Sequence, residues 1–422
     1  MLRGWEKATM NVLCLMGLFP KEYEDEILKD SLSGVQNAAN KLQWAIVDGL
    51  NNSENIQTRI LNSLFIGSYP RKYKKAIIPS FPFQVGGKEL GMNVGFWNLP
   101  GIKYLSKYHG LKKKLDQWIK SDANGEKVVI AYALTSPVVE LLRYIKKKYP
   151  SVKCVLFVPD LPEYMDVTNK SLLYSIIKKW HISHLRKNIK EIDGYVFLTD
   201  YMKEWFDWDI CYTVVEGIYK TPPNSSETEI SKEKVILYAG GLNEQYGVLA
   251  LVDAFLKTKE KEWTLELVGD GPLLPTLKRI AVDHPDLVIR GLLPNSEVLK
   301  RQKQVSLLVN PRRGEQVFTK YSFPSKTIEY MASGTPMVGY RLPGIPDEYF
   351  EYIYEVSPYD HGLEECLKKV MLLSEQERNE FGLSAKHFIQ TEKNEAKQCA
   401  KILKLVESLV MRCANPESRG SK

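Results

Sequence analysis

Short runs of apolar residues alternate along the chain with longer segments in which apolar residues recur every three or four positions. The short runs predict buried strands and the longer segments predict amphipathic helices; their alternation is typical of a parallel α/β sheet. Residues 66–101, rich in Gly, Pro and Tyr, give no clear pattern. In the first half the predicted strands are 11–17, 58–65, 127–133, 153–158, 195–198 and 212–215, and the main predicted helices are 34–50, 137–149 and 170–189.

A polar, proline-containing stretch without periodicity occupies residues 220–233 and predicts a linker. A chain of 422 residues is too long for one ordinary core. We therefore predict two doubly wound α/β domains, at 1–219 and 234–395, facing a cleft, with a last helical segment at 396–422. After the linker, strands are predicted at 235–239, 265–268, 288–290, 307–309 and 337–338, and the pattern is helical from about Ser374 onward.

The composition is that of a soluble globular protein, with 44% hydrophobic and 26% charged residues. The net charge of +7 is mildly basic, so an anionic substrate and an anionic membrane surface are both candidate partners. The cations do not form a recognised nucleic-acid module, and no nucleic-acid partner is expected. The six cysteines are scattered without a Cys-x-x-Cys pair and no signal peptide is visible, which favours a cytoplasmic protein.

Residues 306–340 are the most informative stretch, because they predict a buried strand, a cationic loop, a short helix and a second strand. Pro324 suits the first helical turn, where its missing amide would be unpaired anyway. We expect the amides of Ser325, Lys326 and Thr327 to face an anion. An ordinary capped helix is the alternative. The candidate diphosphate-binding cations are Arg312, Arg313, Lys320 and Lys326, and for each a solvated loop cation is the alternative.

Two glycine-containing loops follow strands of the second half. Gly240 and Gly241 allow a backbone to approach a phosphate closely, and their loop is not the Gly-x-Gly-x-x-Gly of dinucleotide enzymes. Gly269 and Gly271 end the next strand, where a simple strand-to-helix turn is the alternative. Arg290 ends the strand after that, and we assign these five residues to the same predicted binding edge.

Residues 306–340 also resemble the nucleotide-sugar site of family 4 glycosyltransferases, which have the GT-B fold of two Rossmann-like domains facing a cleft. The resemblance is best over about 235–356. It implies that the last helix returns to the first domain. It also places Ser322 and Pro324 with the donor-binding residues, and the second glutamate of the family's Glu-x7-Glu motif falls on Glu329, whose implied role is to hold the nucleotide ribose.

This chain departs from the family pattern at several places. The first motif glutamate falls on Tyr321, and Glu315 lies nearby as a substitute candidate. A family arginine and lysine that grip the diphosphate correspond to Leu242 and Tyr246, so other cations must supply that charge. The identity of the sugar-contacting residue therefore stays open between Tyr321 and Glu315.

The sequence of the first domain contains fewer clear motifs. Ser33 and Gly34 resemble the family's glycine loop on the acceptor side. Asp160, after a predicted strand, is a candidate general base, and a structural Asp-Leu-Pro turn is the alternative. His181 and His184 lie three residues apart without a third ligand, and no metal is assigned. The lysine-rich helical segments 102–120 and 170–190 are candidates for binding an anionic membrane surface, and the alternative for each, which we favour, is an amphipathic helix that covers the sheet with a solvated lysine face.

The resemblance implies a hexosyltransferase. Such an enzyme moves a sugar from a nucleotide-diphosphate sugar, UDP-sugar first, to a hydroxyl of a lipid-linked or growing glycan, and the anomeric configuration is retained. It implies no metal or other cofactor, a role in capsule or exopolysaccharide synthesis, and a place at the inner face of the cell membrane. The alternatives are another GT-B enzyme, such as a nucleotide-sugar epimerase or a phosphorylase, and a non-catalytic sugar or lipid binder on a transferase scaffold.

Overall fold

The computed structural model describes residues 10–32, 35–121, 125–164, 172–220, 231–260 and 262–414. The chain forms two compact units. Unit 1 comprises Met1–Ile218 and Glu395–Lys422, and unit 2 comprises Tyr219–Asn394. Most of the predicted linker, residues 221–230, lies outside the described residues, as do residues 415–422 of the predicted last segment.

Unit 1 is built on an eight-stranded sheet of order β10-β9-β8-β7-β1-β2-β5-β4, in which every neighbouring pair is parallel except β4 and β5. A separate antiparallel pair, β3 and β6, lies beside it. With elements numbered in chain order, the strands are β1 Met10–Met16, β2 Ile56–Asn62, β3 Ile77–Ile78, β4 Phe81–Val85, β5 Lys88–Asn93, β6 Phe96–Trp97, β7 Lys127–Tyr132, β8 Lys153–Val158, β9 Gly194–Phe197 and β10 Tyr212–Val214.

The core of unit 1 lies between this sheet and its helices. The central strands β1, β7 and β8 are buried on both faces, which is why they read as continuous apolar runs. The last helix contributes Cys399, Ile402 and Val406 to the same core. The helices of unit 1 are α1 Glu24–Asp30, α2 Asn37–Asn51, α3 Lys103–Ile119, α4 Ser136–Lys148, α5 Leu172–Ile189 and α12 Glu395–Ala414.

The structure resolves the stretch that the sequence left without a pattern. Residues 66–101 contain β3 to β6; β5 adds to the sheet beside β2, and β4 closes that edge. The predicted strand 58–65 is wrong in its bounds, because β2 runs from Ile56 to Asn62 and the chain then leaves the sheet.

The lysine face predicted for segment 102–120 is also wrong in part. Lys103 and Lys107 lie on the buried side of α3, where their ammonium groups donate hydrogen bonds to the carbonyl oxygens of Ile66 (2.5 Å) and Leu64 (2.6 Å). Burial lowers the pKa of Lys103 to about 8 and the pKa of Lys107 well below its usual value. For the segment 170–190, the side chains of residues 172–177 lie outside the described part of the chain.

Unit 2 contains a six-stranded parallel sheet of order β13-β12-β11-β14-β15-β16. Because the strands are parallel, the loops that follow them meet at one edge, called here the carboxyl edge. The strands are β11 Glu233–Ala239, β12 Thr264–Val268, β13 Leu287–Gly291, β14 Val305–Asn310, β15 Met337–Tyr340 and β16 Tyr354–Val356.

A local sequence signal sets the start of one helix in unit 2. Ser374 and Glu377 form a reciprocal capping box at the start of α11, where the sequence pattern becomes helical. No helix in the described ranges is long and apolar enough to cross a membrane. The helices of unit 2 are α6 Val248–Thr258, α7 Leu274–Asp283, α8 Asn295–Gln304, α9 Lys326–Ala332, α10 Gly362–Leu372 and α11 Glu375–Glu392.

Candidate functional site

Three loops at the carboxyl edge of unit 2 are tied to one another by backbone hydrogen bonds. The amide of Gly240, after β11, donates to the carbonyl of Val268 (2.8 Å), and the amide of Leu242 donates to the carbonyl of Asp270 (2.9 Å). The amide of Gly269 donates to the carbonyl of Gly291 (2.8 Å). The glycine loops that the sequence singled out therefore form one continuous backbone surface.

Close packing explains why glycine stands at two of these positions. A Cβ on Gly269, which has a φ of 144°, would overlap the carbonyl oxygen of Gly240. A Cβ on Gly240 would overlap the Lys326 ammonium and lie 2.7 Å from the Tyr238 hydroxyl. A side chain at position 240 would displace the Lys326 ammonium, so glycine at this position allows Lys326 to contact the backbone of the loop.

Helix α9 is fastened to the end of β11 by two of its side chains. Lys326 and Tyr330 are one turn apart, and both contact Ala239: the Lys326 ammonium donates to its carbonyl oxygen, and the Tyr330 hydroxyl accepts from its amide (2.9 Å). Burial lowers the pKa of Lys326 to about 8, against a smaller opposing effect of Glu329. A buried ammonium group thus borders the glycine loop.

The expectation of three free amides at the start of α9 is wrong for one of them. The amide of Thr327 donates to the carbonyl of Pro324 (2.8 Å), so it is already used within the turn that begins the helix. The regular helix begins at Lys326, two residues after Pro324, with Ser325 as its N-cap in a helical conformation.

Glu329, the residue matched to the ribose-binding glutamate, is half-buried and has a defined partner. The side-chain amide of Gln302, on α8, donates to Glu329 Oε1 at 2.8 Å. Gln302 is fully buried, and its own Oε1 has no hydrogen-bond partner among the described residues. Nothing in the sequence pointed to Gln302, because it lies 27 residues from Glu329 in a helix that carries no motif.

Arg312 is the second cation beside the glycine loop. Its guanidinium carbon lies 4.4 Å from the centre of the Phe318 ring and 6.0 Å from that of Tyr246, the residue at the place of the family lysine. The Nε and Nη2 atoms are buried and lack a hydrogen-bond partner among the described residues, and burial lowers the pKa of this guanidinium. Donors in this state favour an anionic ligand.

Arg312 and Lys326 have the same kind of surroundings. Within the described ranges, neither forms an ion pair with a carboxylate; their close neighbours are aromatic rings and backbone oxygens. Arg313, by contrast, lies 3.5 Å from the exposed Glu315 carboxylate and near the Tyr340 ring.

Lys320 and Tyr321, two other predicted site residues, lie within a short 3-10 helix, Val317–Tyr321, whose C-cap is Ser322. Lys320 is exposed, and Tyr321 is half-buried. A Cβ on Gly344 would lie 2.4 Å from the carbonyl oxygen of Ser322, so the loop after β15 packs directly on this turn. The loop after β15 therefore supports the short helix that carries Tyr321.

Arg290 has a different environment from the one expected of a ligand-binding cation. Its guanidinium forms two hydrogen bonds to the buried Glu266 carboxylate (2.9 and 2.7 Å). Arg301, on α8, binds the same carboxylate and also Glu233. The side chain of Arg290 thus belongs to an ion network within the sheet.

In unit 1, Asp160 follows β8 at the carboxyl edge of the larger sheet. Its carboxylate is exposed at the surface, yet surrounding protein atoms desolvate it enough to raise its pKa. Ser33 and Gly34 lie outside the described residues. His184 contacts Glu140 (3.1 Å), and His181 lies 3.5 Å from the Ser136 hydroxyl. No group of three metal-ligating side chains occurs in the described ranges.

Comparison with known proteins gives a match centred on unit 2. Residues 233–361 match the family model described as "Glycosyl transferases group 1". The chain is similar to a putative teichuronic acid biosynthesis glycosyltransferase, TuaH, of Bacillus subtilis, with 23% identity over 270 residues. That match covers 61% of this chain and 66% of the relative, so it spans just under two-thirds of the relative's length.

Solved structures resemble almost the whole chain. Sucrose-phosphate synthase from Thermosynechococcus elongatus matches with a TM-score of 0.60 and 12% identity, covering 96% of this chain and 100% of that one. Anabaena HepE in complex with UDP matches with a TM-score of 0.56 and 13% identity, covering 94% and 100%. A mutant of S. aureus TarM in complex with fondaparinux, α-GlcNAc-glycerol and UDP matches with a TM-score of 0.55 and 10% identity, covering 94% and 99%. At these identities the likeness establishes the fold.

Proposed function

We propose that the protein transfers a hexosyl unit from a nucleotide-diphosphate sugar to a glycan hydroxyl, because residues 233–361 match the model of the glycosyl transferases group 1 and the chain has the predicted GT-B fold. UDP-sugar is the first choice of donor, because HepE and TarM are similar proteins whose structures hold UDP. The acceptor we propose is a lipid-linked or growing cell-surface polysaccharide, by analogy with the teichuronic acid relative.

One observation supports the assignment of the donor site. Two desolvated cations without carboxylate partners among the described residues, Arg312 and Lys326, border the same glycine loop. A diphosphate bound there would pair with both cations. Because they are already desolvated and held in place, they would stabilise the negative charge that develops on the leaving nucleotide diphosphate. Arg312 would supply, from β14's loop, the charge that Tyr246 lacks.

Glu329 would accept hydrogen bonds from the ribose hydroxyls through the oxygen that Gln302 does not occupy. Gly240 and Gly241 would face the diphosphate, and Gly269 and Gly271 would line the nucleotide side of the same edge. Arg313, Lys320, Ser322, Pro324 and Ser325 are proposed as the outer wall of the donor site. Tyr321 or Glu315 would contact the sugar, and no metal is needed in this scheme.

Asp160 is our candidate for the base that accepts the proton of the acceptor hydroxyl. Its raised pKa keeps the proton-accepting oxygen more basic than an ordinary aspartate, which is the direction a general base requires. Asp160→Asn is expected to abolish transfer while leaving the dissociation constant for UDP unchanged. If transfer persists in this variant, the base is another group.

The first experiment is a thermal-shift screen of UDP-, GDP- and dTDP-sugars, because a ligand that binds the folded state raises the apparent melting temperature. Glu329→Ala should weaken binding of the active nucleotide roughly tenfold to a hundredfold, the range for a hydrogen bond to a charged group. Glu297→Ala, an exposed carboxylate on α8, is the matched control. Failure of all three nucleotides to stabilise the parent protein would contradict the donor assignment.

A second experiment separates transfer from the alternative functions. With the active donor, release of free nucleoside diphosphate only when a glycan acceptor is present supports a transferase. Conversion of the donor to an isomer without acceptor would instead identify an epimerase, and binding without turnover would identify a non-catalytic sugar binder. We also propose that the protein lies at the inner face of the cell membrane.

A further inference from the structure

Unit 1 exposes a cluster of large apolar side chains that its fold does not use. The cluster, called here the apolar patch, comprises Ile77, Trp97, Ile102, Tyr104 and Leu105. Ile77 is 65% exposed, Trp97 56% and Leu105 62%, whereas most isoleucines and leucines in the described ranges are buried. Contiguous exposed apolar side chains of this size mark an interaction surface more often than scattered single ones do.

Backbone pairing brings the first two members of the patch together. Ile77 on β3 pairs with Trp97 on β6, and their neighbours Ile78 and Phe96 pair in the same antiparallel ladder. Residues directly opposite in such a ladder share a face, so Ile77 and Trp97 lie side by side on the outside while Ile78 and Phe96 are buried on the inside.

Helix α3 supplies the other members and is joined to the ladder. The Ser106 hydroxyl accepts a hydrogen bond from the amide of Trp97 (2.9 Å), which holds the first turns of α3 against β6. On the inner side of those turns Lys103 and Lys107 are hydrogen-bonded to buried carbonyls. The outer side is therefore left to Ile102, Tyr104 and Leu105, the reverse of the orientation expected for an amphipathic helix in water.

The segment that precedes Ile77 is strongly cationic. It reads Arg71-Lys72-Tyr73-Lys74-Lys75, and all four cations are exposed whereas Tyr73 is buried. Lys75 is paired with both Glu26 and Asp30, so two carboxylates offset its single positive charge, and Arg71, Lys72 and Lys74 are the remaining cations of the segment. The segment is tied to β6, because the amide of Asn98 donates to the carbonyl of Ala76 (2.7 Å) and its side chain donates to the carbonyl of Lys75 (3.2 Å).

We propose that the apolar patch and the cationic segment 71–75 together form a docking surface for an anionic lipid bilayer. The charge complementarity favours this occupant: apolar and aromatic side chains enter the headgroup region while the neighbouring cations pair with anionic lipids. A tryptophan and a tyrosine at the surface suit the interface between water and hydrocarbon. The surface differs from the lysine faces expected from sequence, since two of those lysines are buried.

The proposal is tested by flotation of the full-length protein with vesicles. We expect binding to phosphatidylcholine–phosphatidylglycerol vesicles that weakens as salt is raised, and little binding to phosphatidylcholine alone. Trp97→Gln with Leu105→Gln should reduce binding to the anionic vesicles about tenfold or more. Leu372→Gln, which changes a 77% exposed leucine of unit 2, is the matched control and should bind like the parent.

A second pair of variants tests the charge. Arg71→Glu with Lys72→Glu should reduce binding to anionic vesicles about tenfold, whereas Lys300→Glu with Lys303→Glu on α8 should change it much less. Circular dichroism and melting temperature establish that each variant is folded. The proposal is overturned if the parent does not float with anionic vesicles at low salt, or if both patch variants float as the parent does. It is also overturned if sedimentation shows that the patch instead holds two copies of the chain together.

Discussion

The buried side-chain amide of Gln302 orients the Glu329 carboxylate. Gln302 donates to one carboxylate oxygen at 2.8 Å and is itself fixed by complete burial, while its backbone carbonyl accepts from the Thr335 hydroxyl (2.7 Å). A side chain held in this way presents its second oxygen in one direction. Preorganisation of this kind matters for binding, because a mobile carboxylate would lose conformational freedom when ligand arrives.

Replacing Gln302 by Glu should make donor binding depend on pH. Two carboxylates at this separation share a proton, which raises the apparent pKa of the pair. We expect the affinity for the nucleotide to fall as pH rises through that pKa, because repulsion then turns Glu329 away. Titration calorimetry at several pH values measures this, with Gln304→Glu near the same helix end as control. Equal pH profiles for the parent and Gln302→Glu would contradict the positioning role.

Lys326 predicts a proton uptake on ligand binding. Its pKa is lowered to about 8 by burial, so a fraction of the molecules carry the neutral amine near that pH. A bound diphosphate favours the charged form, so binding should take up protons, and affinity should decline as pH rises above about 8. Calorimetry in buffers of different ionisation enthalpy measures the uptake.

The controls for this proton uptake are two lysine variants. Lys326→Met should remove the buffer dependence, whereas Lys303→Met, on the exposed side of α8, should preserve it. A parent protein whose binding enthalpy is the same in all buffers would show that Lys326 does not meet the anion.

At the scale of elements, an ion network connects three strands and a helix in unit 2. Glu266 on β12 is nearly fully buried and accepts from Arg290 on β13 and Arg301 on α8, and Arg301 also binds Glu233 on β11. Burial alone would raise the pKa of Glu266, but the hydrogen bonds from the two arginines outweigh it and lower the pKa. This network, rather than a ligand, accounts for the position of the Arg290 side chain.

Arg301→Met should therefore destabilise unit 2 by about 3 kcal/mol, because Arg301 is the more buried of the two arginines that bind Glu266 and is also the one that binds Glu233. Arg290→Met should cost less, since Arg290 is the more exposed of the two arginines and Arg301 still pairs with Glu266. Urea unfolding measures both changes, and the affinity of the folded variants for nucleotide should be unchanged. A selective loss of nucleotide affinity in Arg290→Met would restore the ligand-binding role expected from sequence.

At the scale of the whole molecule, the chain passes through unit 2 and then completes unit 1. Helix α12 packs on α2 and the strands β8, β9 and β10, and its residues Cys399, Ile402 and Val406 are fully buried. The core of unit 1 therefore requires residues from both ends of the chain.

Val406→Asp should destabilise unit 1 by about 3 to 5 kcal/mol, because it buries an unpaired carboxylate. Met411→Asp changes a 67% exposed position of the same helix and should have little effect. Urea unfolding followed by circular dichroism should show an earlier first transition in Val406→Asp, with a protease-resistant fragment from unit 2 remaining. A single shifted transition, with both units lost together, would contradict the separation into units.

Several predictions from sequence rested on local information and agree with the structure. The strand β1, the helix α4 and the helical pattern from about Ser374 were predicted from hydrophobic periodicity, which involves residues only a few positions apart. The predicted GT-B fold and family resemblance are confirmed by the comparisons. Residues 66–101 escaped prediction, since β4 and β5 gain their stability from pairing with each other and with β2.

Outside residues 66–101, the sequence by itself determined most of the order of strands and helices, and it determined the chemistry available at the carboxyl edge of unit 2, because periodicity and turn residues act over short range. Only the tertiary structure decided which residues form hydrogen bonds with one another. Lys326 contacts Ala239 across 87 positions, Glu329 meets Gln302, and Lys103 turns inward to the carbonyl of Ile66. These contacts depend on how strands pair and helices pack, and a lysine or glutamine in sequence carries no sign of the partner that burial gives it.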